Sequence, residues 1–134
     1  MNHPPRVTDL LPYAIAAREK AHAPYSGFHV GAAVLADGLI FTGANVENAS
    51  LGLTNCAERT AVFKAISEGA RSITAVVVVA DTEEPLHPCG ACCQVLAEFC
   101  PADTPVLMAT LQGNTRIATM EKLLPAAFTK TLSP

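Results

Sequence analysis

Aromatic and charged residues are both scarce in this chain. Tryptophan is absent, aromatic residues make up 5% of the 134 positions, and charged residues make up 16%, against roughly 25% in ordinary globular proteins. The net charge is −3, and the sequence contains no block or stripe of Lys and Arg. Because such basic surfaces supply most of the affinity for a phosphate backbone, the composition predicts no polymeric nucleic acid as a partner.

Long apolar runs are also missing. No stretch is long and apolar enough to span a bilayer, so we expect no membrane partner. Residues 1–6 lack a charged head followed by an apolar run, which predicts no signal peptide. The five cysteines are an odd number and two of them are adjacent, unlike a secreted disulfide framework. We therefore expect a cytoplasmic protein.

Apolar residues, by contrast, are abundant and reach 50% of the chain. The length predicts a single domain over residues 1–134, with enough chain for one real core and too little for two. We expect so apolar a domain to cover part of its surface with copies of itself.

Apolar periodicity and turn residues predict nine elements of secondary structure. They are a helix from a cap at Thr8 or Asp9 to about Lys20, strands at 28–36 and 39–46, a helix at 56–68, a strand at 73–80, a helix at 89–100, strands at 105–111 and 115–119, and a short helix at 120–124. The predicted apolar face of the first helix contains Leu10, Leu11, Ile15 and Ala16.

The run 73–80 indicates how these elements are arranged. It is continuously apolar without alternation, so both of its faces should be covered, as in the central strand of a sheet between helical layers. The link 112–114 is so short that it can join only antiparallel neighbours, which makes 115–119 an edge strand. The predicted fold class is α/β, with three α/β/α layers around a mixed five-stranded sheet.

Cysteine and glutamate stand at the starts of two predicted helices, in the motifs Cys56-x-Glu58 and Pro88-Cys89-x-x-Cys92. The partial positive charge of a helix N-terminus favours the thiolate that binds metal. Three thiolates can hold one zinc ion and leave its fourth position open, whereas a structural site fills all four. The sequence therefore predicts a catalytic Zn²⁺ site of the kind found in nucleobase deaminases, with Glu58 as the acid–base group. Its predicted ligands are Cys56, Cys89 and Cys92.

Arg59 follows the predicted acid–base residue and can offset the charge of the ligands. Three thiolates on Zn²⁺ leave a net charge of −1, which weakens the metal as a Lewis acid. A guanidinium N–H donated to a thiolate withdraws part of that charge. We therefore expect Arg59 to hydrogen-bond to the ligand sulfurs.

Two other interpretations of the cysteines remain open at this point. A structural zinc module would take a fourth ligand from Cys93, Cys100 or His87. A thiol–disulfide oxidoreductase would use the pair Cys89 and Cys92, although such a motif normally follows a strand early in a βαβ pattern. The first interpretation ignores Glu58 and the second leaves Cys56 without a role, so the catalytic site is favoured.

The motifs closely resemble those of the small, homotetrameric, zinc-dependent cytidine deaminases. The similarity runs over roughly residues 11–128 and is carried by Ala23-Pro24-Tyr25-Ser26-Gly27-Phe28, Val30-Gly31-Ala32-Ala33, Asn45-Val46-Glu47-Asn48-Ala49-Ser50, Cys56-Ala57-Glu58-Arg59-Thr60-Ala61, Pro88-Cys89-Gly90-Ala91-Cys92 and Leu123-Leu124-Pro125. The resemblance implies a cytidine-deaminase-like fold and a homotetramer. It also implies hydrolysis of cytidine and 2'-deoxycytidine to uridine and 2'-deoxyuridine, with release of ammonia, as in pyrimidine salvage.

The same resemblance implies a small pyrimidine nucleoside as substrate and assigns its contacts. Asn45 and Glu47 would hydrogen-bond to the ribose hydroxyls, and Phe28 would pack against the pyrimidine or the sugar. The backbone N–H of Ala57 would meet the base carbonyl. Phe128 would help to close the pocket of a neighbouring subunit.

Two positions depart from the family pattern. Cys93 stands where the family usually has Arg, so charge relief at the thiolates rests more on Arg59. Leu51 stands where an aromatic residue is usual, which leaves space at the expected pocket edge. We therefore hypothesise a tolerance for bulkier pyrimidine nucleosides. A deaminase acting on modified cytidines or on an aminonucleoside antibiotic is the alternative, although Asn45 and Glu47 favour an ordinary ribose.

Overall fold

A mixed five-stranded sheet runs through the computed structural model, which describes residues 5–130. Its strands are β1 (Val30–Ala36), β2 (Leu39–Ala44), β3 (Ile73–Ala80), β4 (Pro105–Thr110) and β5 (Thr115–Thr119). Their order across the sheet is β2-β1-β3-β4-β5. β3 and β4 are parallel, and the other neighbours are antiparallel. The predicted sheet, with its central strand and antiparallel edge strand, is confirmed.

Helices cover both faces of this sheet, which confirms the predicted three layers. They are α1 (Leu11–Arg18), α2 (Ala57–Ser67), α3 (Gly90–Phe99) and α4 (Met120–Leu123), with 3-10 turns at Val7–Leu10 and Leu51–Leu53. α1 packs on one face, and α2, α3 and α4 pack on the other. The second 3-10 turn lies between the predicted strand 39–46 and the predicted helix 56–68, where the sequence predicted neither a helix nor a strand.

The central strand β3 supplies side chains to both halves of the core. Val76 and Val78 pack with α2 and α3, whereas Val77 and Val79 pack with α1. All four are buried. Because burying one such side chain stabilises the fold by about 1.5–3 kcal/mol, this strand is a main contributor to the core.

The prediction of which residues form the apolar face of α1 is partly wrong. Ile15 and Ala16 are exposed, whereas Ala14 and Ala17 are buried. The reason is a close approach between α1 and β1. A Cβ atom at Gly31 would lie 2.0 Å from the carbonyl oxygen of Ala14. Contact at this distance requires small residues on both sides, so Ile15 is left on the exposed side of the helix, whereas Leu11 remains partly buried against the core.

The first two strands are shorter than predicted, since β1 begins at Val30 rather than residue 28 and β2 ends at Ala44 rather than residue 46. Where the two strands end, side-chain hydrogen bonds of Asn45 take the place of the backbone hydrogen bonds between them. Asn45 Oδ1 accepts a hydrogen bond from the Val30 N–H at 2.9 Å, and Asn45 Nδ2 donates to the Phe28 carbonyl oxygen at 2.7 Å.

The start of α2 is pressed against the sheet at a second glycine. A Cβ atom at Gly43 would lie 2.5 Å from both the Ala57 carbonyl oxygen and the Ala61 nitrogen. Only a residue without a side chain allows this approach. It fixes the position of the helix end that carries Cys56 and Glu58.

Candidate metal centre and active site

Two helix N-termini bring the predicted ligands together. Cys56 and Cys89 are the N-cap residues of α2 and α3, so each helix begins one position later than predicted. Cys92 lies in the first turn of α3, and its N–H donates to Cys89 Sγ at 3.5 Å. Cysteine at these positions therefore places three sulfur atoms at the meeting point of two helix ends.

The geometry of the three sulfur atoms fits a zinc ion. They lie within 4.8 Å of one another, and Cys56 Sγ and Cys89 Sγ are 3.9 Å apart. Two thiolates bound tetrahedrally at 2.3 Å would be separated by about 3.8 Å. Sulfur donors with this spacing suit Zn²⁺, so the cluster can hold the metal that the sequence predicts.

Arg59 contacts the cluster from behind. Its Nη2 donates to Cys56 Sγ at 3.0 Å and to the Thr54 carbonyl oxygen at 3.4 Å. Hydrogen bonding from Cys92 lowers the pKa of Cys56 to about 5, with a further contribution from Arg59, and the same sulfur–sulfur contact raises the pKa of Cys92. The site thus stabilises a thiolate at Cys56, and the geometry expected of Arg59 is present.

Glu58 is buried in the first turn of α2, two positions after Cys56, with 5% of its surface exposed. Burial raises the pKa of its carboxyl to about 7. A carboxyl that titrates near neutral pH can both take up and release a proton during a reaction. The environment of Glu58 therefore suits acid–base chemistry.

A cavity of about 310 Å³ opens onto this cluster. The sequence-predicted residues that line it are Phe28, Asn45, Glu47, Cys56, Ala57, Glu58 and Cys89. Cys92 and Arg59 lie behind the wall and contact the lining cysteines. The structure thus gathers these predicted residues from four separate segments around one cavity.

Asn45 and Glu47 are already engaged with the segment that carries Phe28. Glu47 Oε1 accepts hydrogen bonds from the N–H groups of Tyr25 and Ser26, each at 3.1 Å, and the Ser26 hydroxyl donates to Glu47 Oε2. The hydrogen bond from the Ser26 side chain is the main reason that the pKa of Glu47 is lowered. Together with the two bonds of Asn45, these contacts hold the loop before β1 in place.

Several lining residues were missed by the sequence reasoning: Ser26, Val30, Thr54, Val78, Ala80, Leu86, His87 and Ala109. Three of them, Val78, Ala80 and Ala109, lie toward the carboxyl ends of the parallel strands β3 and β4. Ligands of α/β sheets commonly bind at that edge, so the predicted topology contained a usable signal for these three. Leu86 and His87 carry no comparable local signal.

Phe128 and Leu51 do not line the cavity. Their side chains are 74% and 61% exposed. Phe128 is instead hydrogen-bonded through its main chain to Gln94 of α3. Any part they play in closing a pocket must involve a surface outside this single chain.

The alternative fourth ligands do not join the cluster, which has three members among residues 5–130. Cys93 is buried, and its thiol donates to the Pro88 carbonyl oxygen at 3.4 Å. Burial raises the pKa of Cys100, at the far end of α3, to about 12. His87 lines the cavity but is not part of the sulfur cluster. This arrangement favours an open metal position over a closed structural site.

None of the described helices is long and apolar enough to cross a membrane.

Comparison with known proteins identifies similar chains along nearly the whole length. Residues 6–108 match the family model described as the cytidine and deoxycytidylate deaminase zinc-binding region. A cytidine deaminase from Halalkalibacterium halodurans is 61% identical over 121 residues, which cover 90% of this chain and 92% of the relative. One from Sporosarcina psychrophila is 55% identical over 125 residues, covering 92% of each chain.

A solved structure agrees with these sequence matches. The crystal structure of cytidine deaminase from Burkholderia pseudomallei superimposes with a TM-score of 0.87 at 49% identity. The match covers 96% of this chain and all of the other.

Proposed function

This chain belongs to the family of cytidine and deoxycytidylate deaminases that share a zinc-binding region, and we propose that it hydrolyses cytidine and 2'-deoxycytidine to uridine and 2'-deoxyuridine with release of ammonia. The observation that carries this proposal is the arrangement of three cysteine sulfurs and one buried carboxyl at a single cavity. Zinc is the cofactor that fits the donor set, with Cys56, Cys89 and Cys92 as its ligands.

The metal and Glu58 have separate tasks in this scheme. When bound, zinc acts as a Lewis acid that lowers the pKa of a water from 15.7 to about 7. Glu58 accepts a proton from the water that attacks C4 of the pyrimidine. It then delivers that proton to N3, accepts the second proton from the new C4 hydroxyl as the carbonyl forms, and gives it to the departing amine, which leaves as ammonia. The raised pKa of Glu58 supports a group that must take up and release protons in each turnover.

The walls of the cavity position the nucleoside. Asn45 and Glu47 receive the ribose hydroxyls, and Phe28 packs against the sugar or the base. Ala57 is the first residue of α2, where an N–H has no partner within the helix, so it is free to meet the base carbonyl.

The charges at the cavity favour a nucleoside over a nucleotide. None of the described lining residues is Lys or Arg, and the carboxyl of Glu47, with its lowered pKa, is part of the lining. A 5'-phosphate would meet a negative group without a compensating cation. We therefore propose that the small neutral nucleoside is the substrate.

We also propose a cytoplasmic homotetramer in which Phe128 of one subunit closes the cavity of another. Several large apolar side chains are exposed on the single chain, and Leu53, Ile117 and Phe128 are each more than half exposed. Contact with other copies would cover them. The free thiols, five in number, agree with a reducing compartment.

The decisive experiment follows the ultraviolet absorbance of cytidine incubated with zinc-loaded protein, with Glu58→Gln as the matched variant. We expect turnover by the wild type, and a loss of at least about 10²–10⁴-fold in the variant with zinc retained. Lack of turnover by folded, zinc-loaded wild type would contradict cytidine as substrate. Full activity of Glu58→Gln would contradict the role of the carboxyl.

A further inference from the structure

A reciprocal pair of hydrogen bonds joins the side chain of Gln94 to the main chain of Phe128. Gln94 Nε2 donates to the Phe128 carbonyl oxygen at 2.8 Å, and Gln94 Oε1 accepts from the Phe128 N–H at 3.2 Å. The amide therefore occupies both hydrogen-bonding groups of one residue, as a neighbouring strand does. Gln94 belongs to α3 and follows the metal-binding Cys92 by two positions.

The side chain of Phe128 is exposed although its main chain is held. The ring is 74% exposed, and the residues around it belong to no helix or strand. A segment that followed only the hydrophobic effect would turn this ring inward. The contacts of Gln94 instead fix the backbone on both sides of the Cα atom, and thereby hold the ring toward the outside.

We propose that Gln94 is a positioning residue that holds the Phe128 ring ready to close the nucleoside cavity of another copy of the chain. This inference rests on the proposed function and on the role given there to Phe128. α3 then serves two sites at once. Its first turn supplies ligands to the metal of its own chain, and the residue after Cys93 supports the pocket of a neighbour.

Loss of the two hydrogen bonds between Gln94 and Phe128, called the clamp below, should weaken substrate binding without disabling the chemistry. Two exposed hydrogen bonds contribute enough to change the population of the held conformation by about tenfold. Apparent affinity falls in proportion to the fraction of sites that is competent to bind. Substrate at saturation restores the closed form, so KM should rise by about three- to tenfold while kcat changes by less than about twofold.

Gln94→Leu and Gln94→Glu test this in the zinc-loaded full-length protein. Leu keeps most of the volume and removes both hydrogen bonds. Glu keeps an acceptor for the Phe128 N–H but loses the donor and faces the carbonyl oxygen with a charge. The matched control is Gln112→Leu, which removes one exposed hydrogen bond to Asp81, 2.9 Å long and remote from the clamp. Zinc content and oligomeric state are measured for every variant.

Two readouts separate positioning from general stability. The first is amide hydrogen exchange, which should become faster at Phe128 in Gln94→Leu and stay unchanged in Gln112→Leu. The second is a double-mutant cycle, since Phe128→Ala and Gln94→Leu should raise KM by amounts that do not multiply.

The outcomes are distinguishable. An unchanged KM in Gln94→Leu, beside a raised KM in Phe128→Ala, would overturn the positioning role and leave the proposed function intact. Multiplicative effects of the two substitutions would also overturn it. A wild type that does not deaminate cytidine would instead remove the proposed function, and this inference with it.

Discussion

The metal cluster and the exposed residues Leu51 and Phe128 differ in how a single chain holds them. Cys92 is fully buried and Glu58 is 5% exposed, and both are held by helix ends packed on the sheet. Leu51 and Phe128 are 61% and 74% exposed and stand away from the cavity lining. This difference agrees with the proposal that one chain contains the groups for the reaction, while closure and substrate range depend on surfaces that meet another copy.

The largest effect should come from removing a ligand of the inner cluster. In Cys89→Ala we expect zinc content and cytidine turnover to fall below detection, because two sulfurs cannot replace the three-thiolate site. The neighbouring thiol Cys93 lies outside the cluster and donates to the Pro88 carbonyl oxygen. Cys93→Ala should therefore retain zinc and is the matched control. Equal zinc contents in the two variants, measured by metal analysis, would contradict this ligand assignment.

The lining of the cavity should discriminate against substrates that carry a 5'-phosphate. We expect kcat/KM for 2'-deoxycytidine 5'-monophosphate to be lower than for 2'-deoxycytidine by about a hundredfold or more, because like charges placed together cost several kcal/mol. The carboxyl of Glu47 is the proposed cause. Glu47→Gln should therefore narrow the gap while raising KM for the nucleoside. Equal efficiency on the two substrates would show that the phosphate has a cationic partner in the assembled enzyme.

Replacing Arg59 should have an intermediate effect, because this residue contacts the sulfur cluster but is not a ligand of the metal. Arg59→Leu removes the donor to Cys56 Sγ and should weaken zinc binding by about 10–100-fold, as expected for partners of metal ligands. Competition with a chromophoric chelator measures this directly. Arg59→Lys keeps the charge and should lose less. An unchanged zinc affinity in Arg59→Leu would mean that the thiolates need no charge relief.

The smallest effect is expected at the exposed residue Leu51. Leu51→Tyr should leave kcat/KM for cytidine within about twofold, in line with other exposed substitutions. It should reduce the relative efficiency on N4- or C5-substituted cytidines, because a ring would fill space that leucine leaves open. If the ratio of efficiencies on substituted and plain cytidine does not move, Leu51 does not set the substrate range.

The inner cluster was predictable from sequence because its determinants are local. The spacing of the three cysteines and their positions at helix starts indicate a metal site in the sequence. The structure places the sulfur atoms of Cys56, Cys89 and Cys92 within 4.8 Å of one another. The exposed Ile15 was not predictable, because periodicity does not show that Gly31 draws α1 close to β1.

Contacts between distant segments were equally hidden. Gln94 and Phe128 are 34 positions apart, and no motif relates them. Likewise, Ala80 and Ala109 come to the cavity wall because β3 and β4 pair in parallel. Such contacts depend on the tertiary packing and the strand register of the folded protein, which cannot be predicted from the motifs of a single sequence.

Mixed subunits test most directly whether the chemistry belongs to one chain and the closure to another. Phe128→Ala and Glu58→Gln chains carrying different tags are co-expressed, and assemblies that contain both are purified. Glu58→Gln chains are expected to be inactive but to offer an intact ring, and Phe128→Ala chains are expected to keep the chemistry but lack the ring. The account predicts a population of sites in the mixed assemblies with the KM of the wild type. A KM that stays at the raised value of Phe128→Ala alone would contradict it.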